Sequence, residues 1–348
     1  MKLNSKNADY YAIFSKDIPS FLLEYLDIPE LKRIGMVGMN CGTDYTNLFR
    51  NRYFYSRLDH SIGVALIIWK FTHDKRQTIA GLLHDIATPS FSHCIDYMHK
   101  DYTKQETTEA KTKEIICSSQ QLLRQLNRDQ IAVEDVFDYK VYSIADNPSP
   151  RLSADRLEYT LSSGMIFSHA WGIKEINGIF SDIDVFVNED GKQELGFRTL
   201  EIAEEFVRGA SKMWYMFQEN KDKLVMQFWA DIIYTLINNQ IINEESLYRL
   251  SENEIVKVIQ ECGIDKIQTA FSKFQKAEFI CEGDEKPNKV YAVNICTKKR
   301  YINPLVWGKR ATEQSEVIRG IVDEFIRYQV PKYCWFCFDL QEELFISS

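Results

Sequence analysis

Glycine and proline are scarce in this sequence, and a long apolar run is missing. The chain has 15 Gly and 8 Pro among 348 residues, and few of them interrupt the stretches in which apolar residues recur at three- and four-residue spacing. The apolar run that begins near Gly63 stops at Lys70, well short of the roughly 20 residues that cross a bilayer. The first residues also lack the apolar core of a cleavable signal. We therefore expect a mainly helical, cytoplasmic protein that does not enter a membrane.

An excess of positive charge is also missing. The 42 Lys and Arg residues are outnumbered by 50 Asp and Glu residues, which gives a formal net charge of −8. General nucleic-acid binding is therefore not predicted. Small anionic substrates remain compatible with this charge, because a bound metal can reverse the local potential. Neither a glycine-rich phosphate loop ending in Lys-Ser/Thr nor a Gly-x-Ser-x-Gly elbow occurs, which argues against P-loop and serine-hydrolase chemistry.

The eight cysteines are scattered and give little evidence of a metal or redox site. Cys334 and Cys337 form a Cys-x-x-Cys sequence, but no second pair accompanies them. They also lie in an apolar, strand-like stretch, where residues three apart face opposite sides. Reduced cysteines in a cytoplasmic protein are the simplest interpretation.

The apolar periodicity predicts where the helices and strands lie. It favours helices over residues 18–37, 58–71, 79–86 and 200–237. Alternating residues favour a β-hairpin over 184–198 and a strand pair over 290–302. Near the C-terminus, a helix over 312–328 and a strand over 333–338 are expected.

Two His-Asp pairs stand out among the six histidines. His84-Asp85 ends an apolar helix, where neighbouring side chains that line a cavity can converge on one ion. An imidazole and a carboxylate together suit a divalent metal such as Mn, Fe, Co, Ni or Zn. His73-Asp74 lies instead among Thr, Lys and Arg residues, which is typical of a solvated helix end. The first pair is therefore the metal candidate.

Two further residues have both a structural and a functional interpretation. His60 lies inside an apolar helix, with Arg57 three residues earlier on nearly the same face. The two could serve a metal and a phosphate together, but His60 could equally be a hydrogen-bonded core histidine. Asp155 follows Ser153 at a helix start, where capping and the helix dipole favour an acid without any metal. Taken singly, both residues are better explained by structure.

The order of these pieces carries more information than any one of them. The series reads Arg57-x-x-His60 with Ser61-x-Gly63, then His84-Asp85, then Phe91-Ser92-His93, and finally Asp155-Arg156-x-x-Tyr159. It resembles the HD-domain superfamily of metal-dependent phosphohydrolases, and within it the branch of deoxynucleoside triphosphate triphosphohydrolases and 5′-nucleotidases. Residues 28–39 and 298–306 resemble further elements of that branch, so the resemblance extends over residues 28–306.

The resemblance implies one divalent metal ion, which could be Mn, Fe, Ni, Co, Mg or Zn. The positions that match the family's ligands are His60, His84, Asp85 and Asp155. Arg57 would contact a phosphate of the substrate, for which a guanidinium fork is suited. His93 and Arg156 would lie near the substrate, a small anionic nucleotide or other phosphoester, and Tyr159 near its sugar. Relatives in this branch often assemble, so a homo-oligomer is expected.

The predicted fold is mainly α, an HD-domain helical bundle with a small β-hairpin and a C-terminal α+β lobe. No flexible linker or internal repeat divides the chain. The N-terminal helices and the HD metal-binding core are expected over 1–180, a helical extension with the hairpin over 181–280, and the mixed lobe over 281–348.

Three positions depart from the pattern of the branch. Thr88 stands where the family has a histidine implicated in proton transfer, Gln105 where it has a second catalytic histidine, and Met36 where it has a base-contacting glutamine. Neither Thr nor Gln exchanges a proton usefully near neutral pH, and a general acid or base typically contributes about 10²–10⁴-fold in rate. The remaining candidates for catalytic roles are Asp85, Glu106 and His93.

Three functions are compatible with these observations. The leading hypothesis is a nucleotide phosphohydrolase that acts on a deoxynucleoside triphosphate. The second is an HD hydrolase of another phosphomonoester or phosphodiester, for which the three departures mark a different pocket. The third is a nucleotide-binding protein with little turnover, which the missing proton-transfer groups favour and the complete set of metal ligands opposes.

Overall fold

Helices form most of the molecule, as the scarcity of glycine and proline predicts. The computed structural model describes residues 7–49, 53–102 and 111–341, with 54% helix and 9% strand. In chain order the helices are α1 (Ala8–Phe14), α2 (Ser20–Tyr25), α3 (Pro29–Ile34), α4 (Arg57–Thr72), α5 (Lys75–Leu83), α6 (Cys94–Met98), α7 (Thr112–Ser118), α8 (Gln120–Arg128), α9 (Ala154–Ile166), α10 (Ile173–Ser181), α11 (Leu200–Met216), α12 (Asn220–Asn238), α13 (Glu252–Glu261), α14 (Asp265–Gln275), α15 (Ala311–Gln314) and α16 (Glu316–Arg327). Among the helices in the described ranges, none is both long and apolar enough to cross a bilayer.

The helix α4 is buried over most of its length and is joined to α5 by a sharp turn. Its start is fixed by a capping box, in which Ser56 Oγ accepts from the Asp59 N–H and the Asp59 carboxylate accepts from the Ser56 N–H, both at 3.0 Å. Residues 57–68 are all buried. In the turn, His73 has a φ of 50°, and Asp74 caps the first turn of α5. The pair His73-Asp74 therefore connects two helices, and its predicted place at a helix end is confirmed.

Two of the predicted helices are interrupted. The stretch 18–37 forms α2 and α3, because Pro29 begins a new helix, where its missing N–H has no cost. The stretch 200–237 forms α11 and α12, which are separated at Gln218. The buried Gln218 side chain donates to the Lys298 carbonyl (3.1 Å), a contact from a distant part of the chain. Apolar spacing does not reveal either break.

In the described residues, seven strands form two small sheets. The strands are β1 (Ile183–Val187), β2 (Gln193–Phe197), β3 (Ile280–Gly283), β4 (Ala292–Val293), β5 (Leu305–Val306), β6 (Lys309–Arg310) and β7 (Tyr333–Phe336). One sheet has the order β1-β2-β5-β6 and the other β3-β7-β4. The predicted hairpin is confirmed as β1 and β2, with Val185 opposite Leu195. Its turn contains Gly191 at a φ of 73°, which glycine adopts without strain.

The strand pair expected over 290–302 is wrong. Every residue of this range is described, and its one strand is β4, which pairs with β7 rather than with a neighbour in the range. The residues that follow β4 bond to distant elements. The Lys298 carbonyl accepts from Gln218, and Lys299 Nζ donates to the Tyr328 carbonyl (2.5 Å) beyond the end of α16. Contacts with distant elements, and not pairing within 290–302, therefore fix the conformation of these residues.

The C-terminal helix and strand form close to their predicted places. The helix expected over 312–328 consists of α15 and α16, which break at Ser315. The Ser315 hydroxyl accepts from the Ile318 N–H (3.1 Å) and so starts α16. The strand expected over 333–338 is β7, which ends at Phe336.

Buried apolar side chains form two hydrophobic cores. The first includes side chains of α1, α4, α9 and α11, and the second those of α6, α12, α13 and α14. The segment after α5 passes from one core to the other, because Ile86 packs in the first and Phe91 in the second. Residues of the region 281–348 also contribute to both, Val322 to the first and Phe336 to the second. The residues directly after α5 therefore lie where the two cores meet.

Cys337 is bonded to Cys281, so the expectation of reduced cysteines is wrong for this pair. Antiparallel pairing of β3 and β7 places Ile280 opposite Phe336. This register brings the Cα atoms of the two cysteines to 5.6 Å, within the range that a disulfide requires. Cys334 has a free, buried thiol, so the two cysteines of the Cys-x-x-Cys sequence do not act as a pair.

Trp171 fits between α9 and α11 because both helices have glycine at the contact. A Cβ on Gly209 would lie 2.0 Å from Trp171 Cζ2, and one on Gly164 would lie 2.4 Å from Cζ3.

Gly209→Ala is therefore expected to destabilise the fold by about 1–3 kcal/mol through overpacking, measured as a lower midpoint of urea unfolding. Gly320→Ala is the matched control, because a Cβ there meets nothing within 4 Å, and it should be neutral or stabilise by up to about 1 kcal/mol. Equal effects of the two substitutions would contradict this account of the packing.

Candidate metal centre

Three side chains from three helical segments converge on one point. His60 lies in the first turn of α4, His84 directly follows α5, and Asp155 lies in the first turn of α9, which Ser153 caps by accepting from the Arg156 N–H (3.2 Å). One nitrogen or oxygen of each lies within 4.8 Å of those of the other two. His60 Nε2 is 3.0 Å and His84 Nε2 is 3.9 Å from Asp155 Oδ1. The fold thus brings together three of the four predicted ligands.

Hydrogen bonds orient both imidazoles. His84 Nδ1 donates to the Gly81 carbonyl (2.7 Å), and His60 Nδ1 bonds to the Glu158 carboxylate. Because both Nδ1 atoms are engaged, both Nε2 atoms face the Asp155 carboxylate. Both histidines are buried. Imidazole nitrogens held in this way, together with a carboxylate, are the donors that borderline divalent cations prefer.

The Asp85 carboxylate lies beside this group. Its Oδ2 is 3.6 Å from His84 Nε2 and accepts from Arg57 Nη1 (3.1 Å), while its Oδ1 accepts from the Thr88 hydroxyl (2.8 Å). Burial raises the pKa of Asp85, but the Arg57 guanidinium and then His84 outweigh it and hold that pKa below its usual range. Asp85 is therefore an ionised, oriented oxygen donor at the edge of the converging group.

The centre combines two buried imidazoles with the buried Asp85 carboxylate and the partly exposed Asp155 carboxylate. Burial lowers the pKa of His60, but the carboxylates of Glu158 and Asp155 raise it to about 10. Burial raises the pKa of Asp155, while the bond from His60 and the charges of His84 and His60 hold it below its usual range. The Tyr139 hydroxyl also donates to Asp155 Oδ2 (3.1 Å). A positive charge is thus stabilised at this point, and the donor set fits a divalent cation.

A strained turn holds Arg57 from the other side. Arg57 Nε donates to the Ser92 hydroxyl (3.1 Å). Phe91 and Ser92 have φ values of 64° and 50°, which non-glycine residues adopt only where the surrounding structure enforces them. The enforcing contacts are a stack of Phe91 on Trp229 with 3.9 Å between ring centroids, and a bond from the Phe91 N–H to Glu252 Oε1 (3.3 Å). Strain of this kind is common at functional sites.

Glu252 gives the turn a dependence on pH that can be measured. Burial, and then the Asp44 carboxylate, raise the pKa of Glu252 from 4.5 to about 8. Between these values the folded protein holds a proton that the unfolded chain releases, so this residue lowers the free energy of unfolding as pH rises. Glu252→Gln is expected to show a smaller fall in Tm than the wild type between about pH 5 and about pH 9, measured by thermal unfolding. Glu261→Gln at the exposed end of α13 should leave the fall unchanged, and an unchanged fall in Glu252→Gln would exclude this effect.

His93 follows the strained turn and is partly exposed. Its side chain is 31% exposed, and its Nδ1 bonds to Oδ2 of the fully buried Asp96 (2.8 Å). A carboxylate that engages one ring nitrogen orients the imidazole and sets its tautomer. Asp96 therefore fixes the orientation of the His93 imidazole.

Arg156 and Tyr159 follow Asp155 in α9. The Arg156 guanidinium donates to Asp146 Oδ1 (2.9 Å), to Asn147 Oδ1 (2.7 Å) and to the Arg151 carbonyl (2.6 Å). These contacts tie α9 to the loop before it. Tyr159 lies one turn beyond Asp155 and is half-buried; burial raises its pKa.

The positions that depart from the family pattern are only partly described. Thr88 is fully buried and bonded to Asp85, so its hydroxyl positions that carboxylate. Met36 is 49% exposed. Gln105 and Glu106 lie outside the described residues.

The sequence patterns did not identify Glu158 or the tyrosines around the centre. Glu158 lies three residues after Asp155 in α9, so the helical face that both share was a usable signal. Tyr139, Tyr10 and Tyr55 gave no such signal, because only folding brings them to the site.

Comparisons with known proteins place this geometry in context. No family model matches the chain. It is 22% identical over 262 residues to the uncharacterized protein YdhJ of Bacillus subtilis, covering 75% of this chain and 77% of that protein. It is 21% identical over 290 residues to the metal-dependent phosphohydrolase cns2 of Cordyceps militaris, covering 82% of this chain and 80% of that protein.

Two solved structures share the fold. A hypothetical protein from Aquifex aeolicus superposes with a TM-score of 0.62 at 16% identity, over 94% of each chain. A phosphohydrolase from Bacteroides thetaiotaomicron superposes with a TM-score of 0.59 at 14% identity, over 93% of this chain and 97% of that one. The whole described architecture therefore occurs in other proteins.

Proposed function

We propose that this chain is an HD-type, metal-dependent phosphohydrolase. The observation that carries the proposal is the convergence of two buried imidazoles with the buried Asp85 carboxylate and the partly exposed Asp155 carboxylate at the predicted ligand positions. The residues that would hold the metal are His60, His84, Asp85 and Asp155. The printed functions of the relative from Cordyceps militaris and of the structure from Bacteroides thetaiotaomicron support the same class.

The donor set fits a divalent ion of the series Mn, Fe, Co, Ni and Zn, and Mg among the harder cations. When bound, such an ion supplies Lewis-acid polarisation of a phosphoryl group and acidifies a water molecule. The protein's own contribution is orientation. The bonds from His84 to Gly81 and from His60 to Glu158 hold the ring nitrogens in place, and Thr88 holds Asp85.

Arg57 is the residue that would recognise the substrate phosphate. Its guanidinium is buried against the centre, and its bonds to Asp85 and Ser92 fix its plane. A guanidinium has five N–H donors, and these two bonds use two of them. The remaining donors suit phosphate oxygens, which arginine binds in a forked geometry. We infer a small phosphate ester as the substrate class, and a nucleotide as the leading candidate within it.

His93 is the proton-transfer group that the described site offers. Thr88 stands where the family has a histidine, and its buried hydroxyl donates a hydrogen bond to Asp85. His93 is oriented by Asp96 through Nδ1, which leaves Nε2 to exchange a proton with a leaving group. Glu106 remains a second candidate for this role.

The Thr88 hydroxyl is bonded to Asp85 and stands where the family has a proton-transfer histidine. This also favours a second function, nucleotide binding with little turnover.

Purified protein should first be analysed for bound metal, then assayed with Mn²⁺ or Co²⁺ against nucleotides and other phosphomonoesters and diesters. Metal-dependent release of phosphate or triphosphate supports the hydrolase. Tight nucleotide binding by calorimetry without hydrolysis over hours would favour the binding function, and neither binding nor turnover with any phosphate ester would overturn both.

A further inference from the structure

Glu158 is a buried carboxylate that contacts a metal ligand from the side away from the metal. We propose that Glu158, held by Tyr10 and Tyr55, is a positioning residue that fixes His60 with Nε2 toward the metal. The inference rests on the proposed function of the site, and it assigns a role to residues that the family pattern does not include.

The contacts of Glu158 occupy both of its oxygens. Its side chain is fully buried. Oε1 accepts from the Tyr55 hydroxyl (2.6 Å) and from the Tyr10 hydroxyl (3.1 Å), and Oε2 faces His60 Nδ1. A buried carboxylate is tolerated only where donors satisfy it. Here one imidazole and three hydroxyls do so, the third being that of Ser162 at 3.5 Å from Oε2. The carboxylate is therefore fixed in one orientation.

Gly63 provides the space in which Glu158 lies. A Cβ at Gly63 would be 2.6 Å from Glu158 Cγ and 2.8 Å from Oε1. Gly63 lies three residues after His60, on nearly the same face of α4. The contact gives the spacing between His60 and Gly63 a physical reason, because a larger side chain would displace the carboxylate that holds the histidine.

The helix α1 takes part in the same arrangement. Its Tyr10 reaches Glu158, and its Tyr11 donates to Asp59 Oδ1 (3.1 Å). Asp59 belongs to the capping box that starts α4. One short helix therefore holds both the carboxylate behind His60 and the helical turn that carries His60.

The arrangement selects one form of the imidazole. A metal ion bound here would take the place of the proton between Nε2 and Asp155 Oδ1, which lie 3.0 Å apart. With Nδ1 still donating to Glu158, the neutral ring would then have its lone pair on Nε2. Partners of this kind orient the ligand and raise its basicity, and their loss typically costs about 10–100-fold in metal affinity. This expectation concerns affinity for the metal and does not require any catalytic step.

The test measures Zn²⁺ affinity by competition with a chromophoric chelator, independently of activity. Glu158→Gln is expected to raise the dissociation constant for Zn²⁺ by about 10–100-fold. Tyr10→Phe and Tyr55→Phe keep the ring packing and remove one hydroxyl each, so they should raise it by a smaller factor, and they remain informative if Glu158→Gln does not fold. Nitrogen-15 NMR of the Zn²⁺-loaded protein should show a protonated Nδ1 at His60 in the wild type and a changed signal in Glu158→Gln.

Asp231→Asn is the matched control. Asp231 is a carboxylate of α12, a helix of the second core, and it accepts from the Tyr291 hydroxyl (2.6 Å) and from Gln227 (2.7 Å). Its replacement should leave Zn²⁺ affinity unchanged whatever it does to stability. If Glu158→Gln kept the wild-type affinity for Zn²⁺ and an unchanged His60 signal, this inference would be overturned but the proposed function would not. If the wild-type protein bound no divalent ion, both this inference and the proposed function would be overturned.

Discussion

His84→Ala is expected to remove the bound metal and the hydrolysis of phosphate esters together. His84 Nε2 faces Asp155 Oδ1 at 3.9 Å and Asp85 Oδ2 at 3.6 Å, so its loss leaves two carboxylates, of which Asp85 is buried, without their shared imidazole. Activity should fall by more than the roughly 10²–10³-fold that the loss of a single electrostatic contact causes. Elemental analysis of the purified variant should find the metal absent, and a substrate assay with added Mn²⁺ should find little recovery.

The matched control uses the other His-Asp pair. His73 is exposed and has a φ of 50° at the end of α4. His73→Asn keeps a residue that tolerates this left-handed conformation, so metal content and activity should both be retained. Thermal unfolding of both variants checks that the fold persists. A His84→Ala protein that retains stoichiometric metal and full turnover would remove the basis of the proposed centre.

His93→Gln is expected to lower kcat by about 10²–10⁴-fold, the range that a general acid or base contributes. Gln can keep a hydrogen bond to Asp96 but cannot exchange a proton, so the turn and the metal centre should persist. Steady-state kinetics should therefore show a lower kcat at nearly unchanged metal content. A rise in KM alone would indicate instead that His93 binds the substrate.

The control for His93 is His99→Gln in the same segment. His99 is exposed and pairs with Glu244 on the surface (3.1 Å), where a single ion pair contributes little. We expect wild-type kinetics from this variant. If His93→Gln also showed wild-type kcat, proton transfer would have to come from another residue, and Glu106 would become the leading candidate.

The position of the site between two cores has a consequence for its rigidity. Ile86, next to His84 and Asp85, packs in the first core, and Phe91 packs in the second. Arg57 crosses this boundary with bonds to Asp85 and Ser92. The centre is therefore held by side chains from both cores, and a substitution in either one can disturb it.

The helix α4 and the hairpin were predictable because the sequence patterns that indicate them are local. The prediction over 58–71 matches α4 closely, and the hairpin over 184–198 matches β1 and β2. The interruption at Gln218 and the extended segment after β4 were not predictable, because bonds to distant residues decide them. The Cys281–Cys337 bond belongs to the same class, since the pairing of β3 with the distant strand β7 brings the two residues close together.

The sequence by itself determined which residues could form a metal centre and in what order they occur. It did so through a series of short motifs that resembles a known family, because residue type and spacing alone explained His60 and Asp155 equally well as structural residues. Only the tertiary structure decided which groups contact the predicted ligands. The Glu158 carboxylate, which accepts from Tyr10 and Tyr55, lies against His60. The Thr88 hydroxyl donates to Asp85. The physical reason is that the orientation of a side chain depends on its hydrogen-bond partners, and here most of those partners come from other parts of the chain.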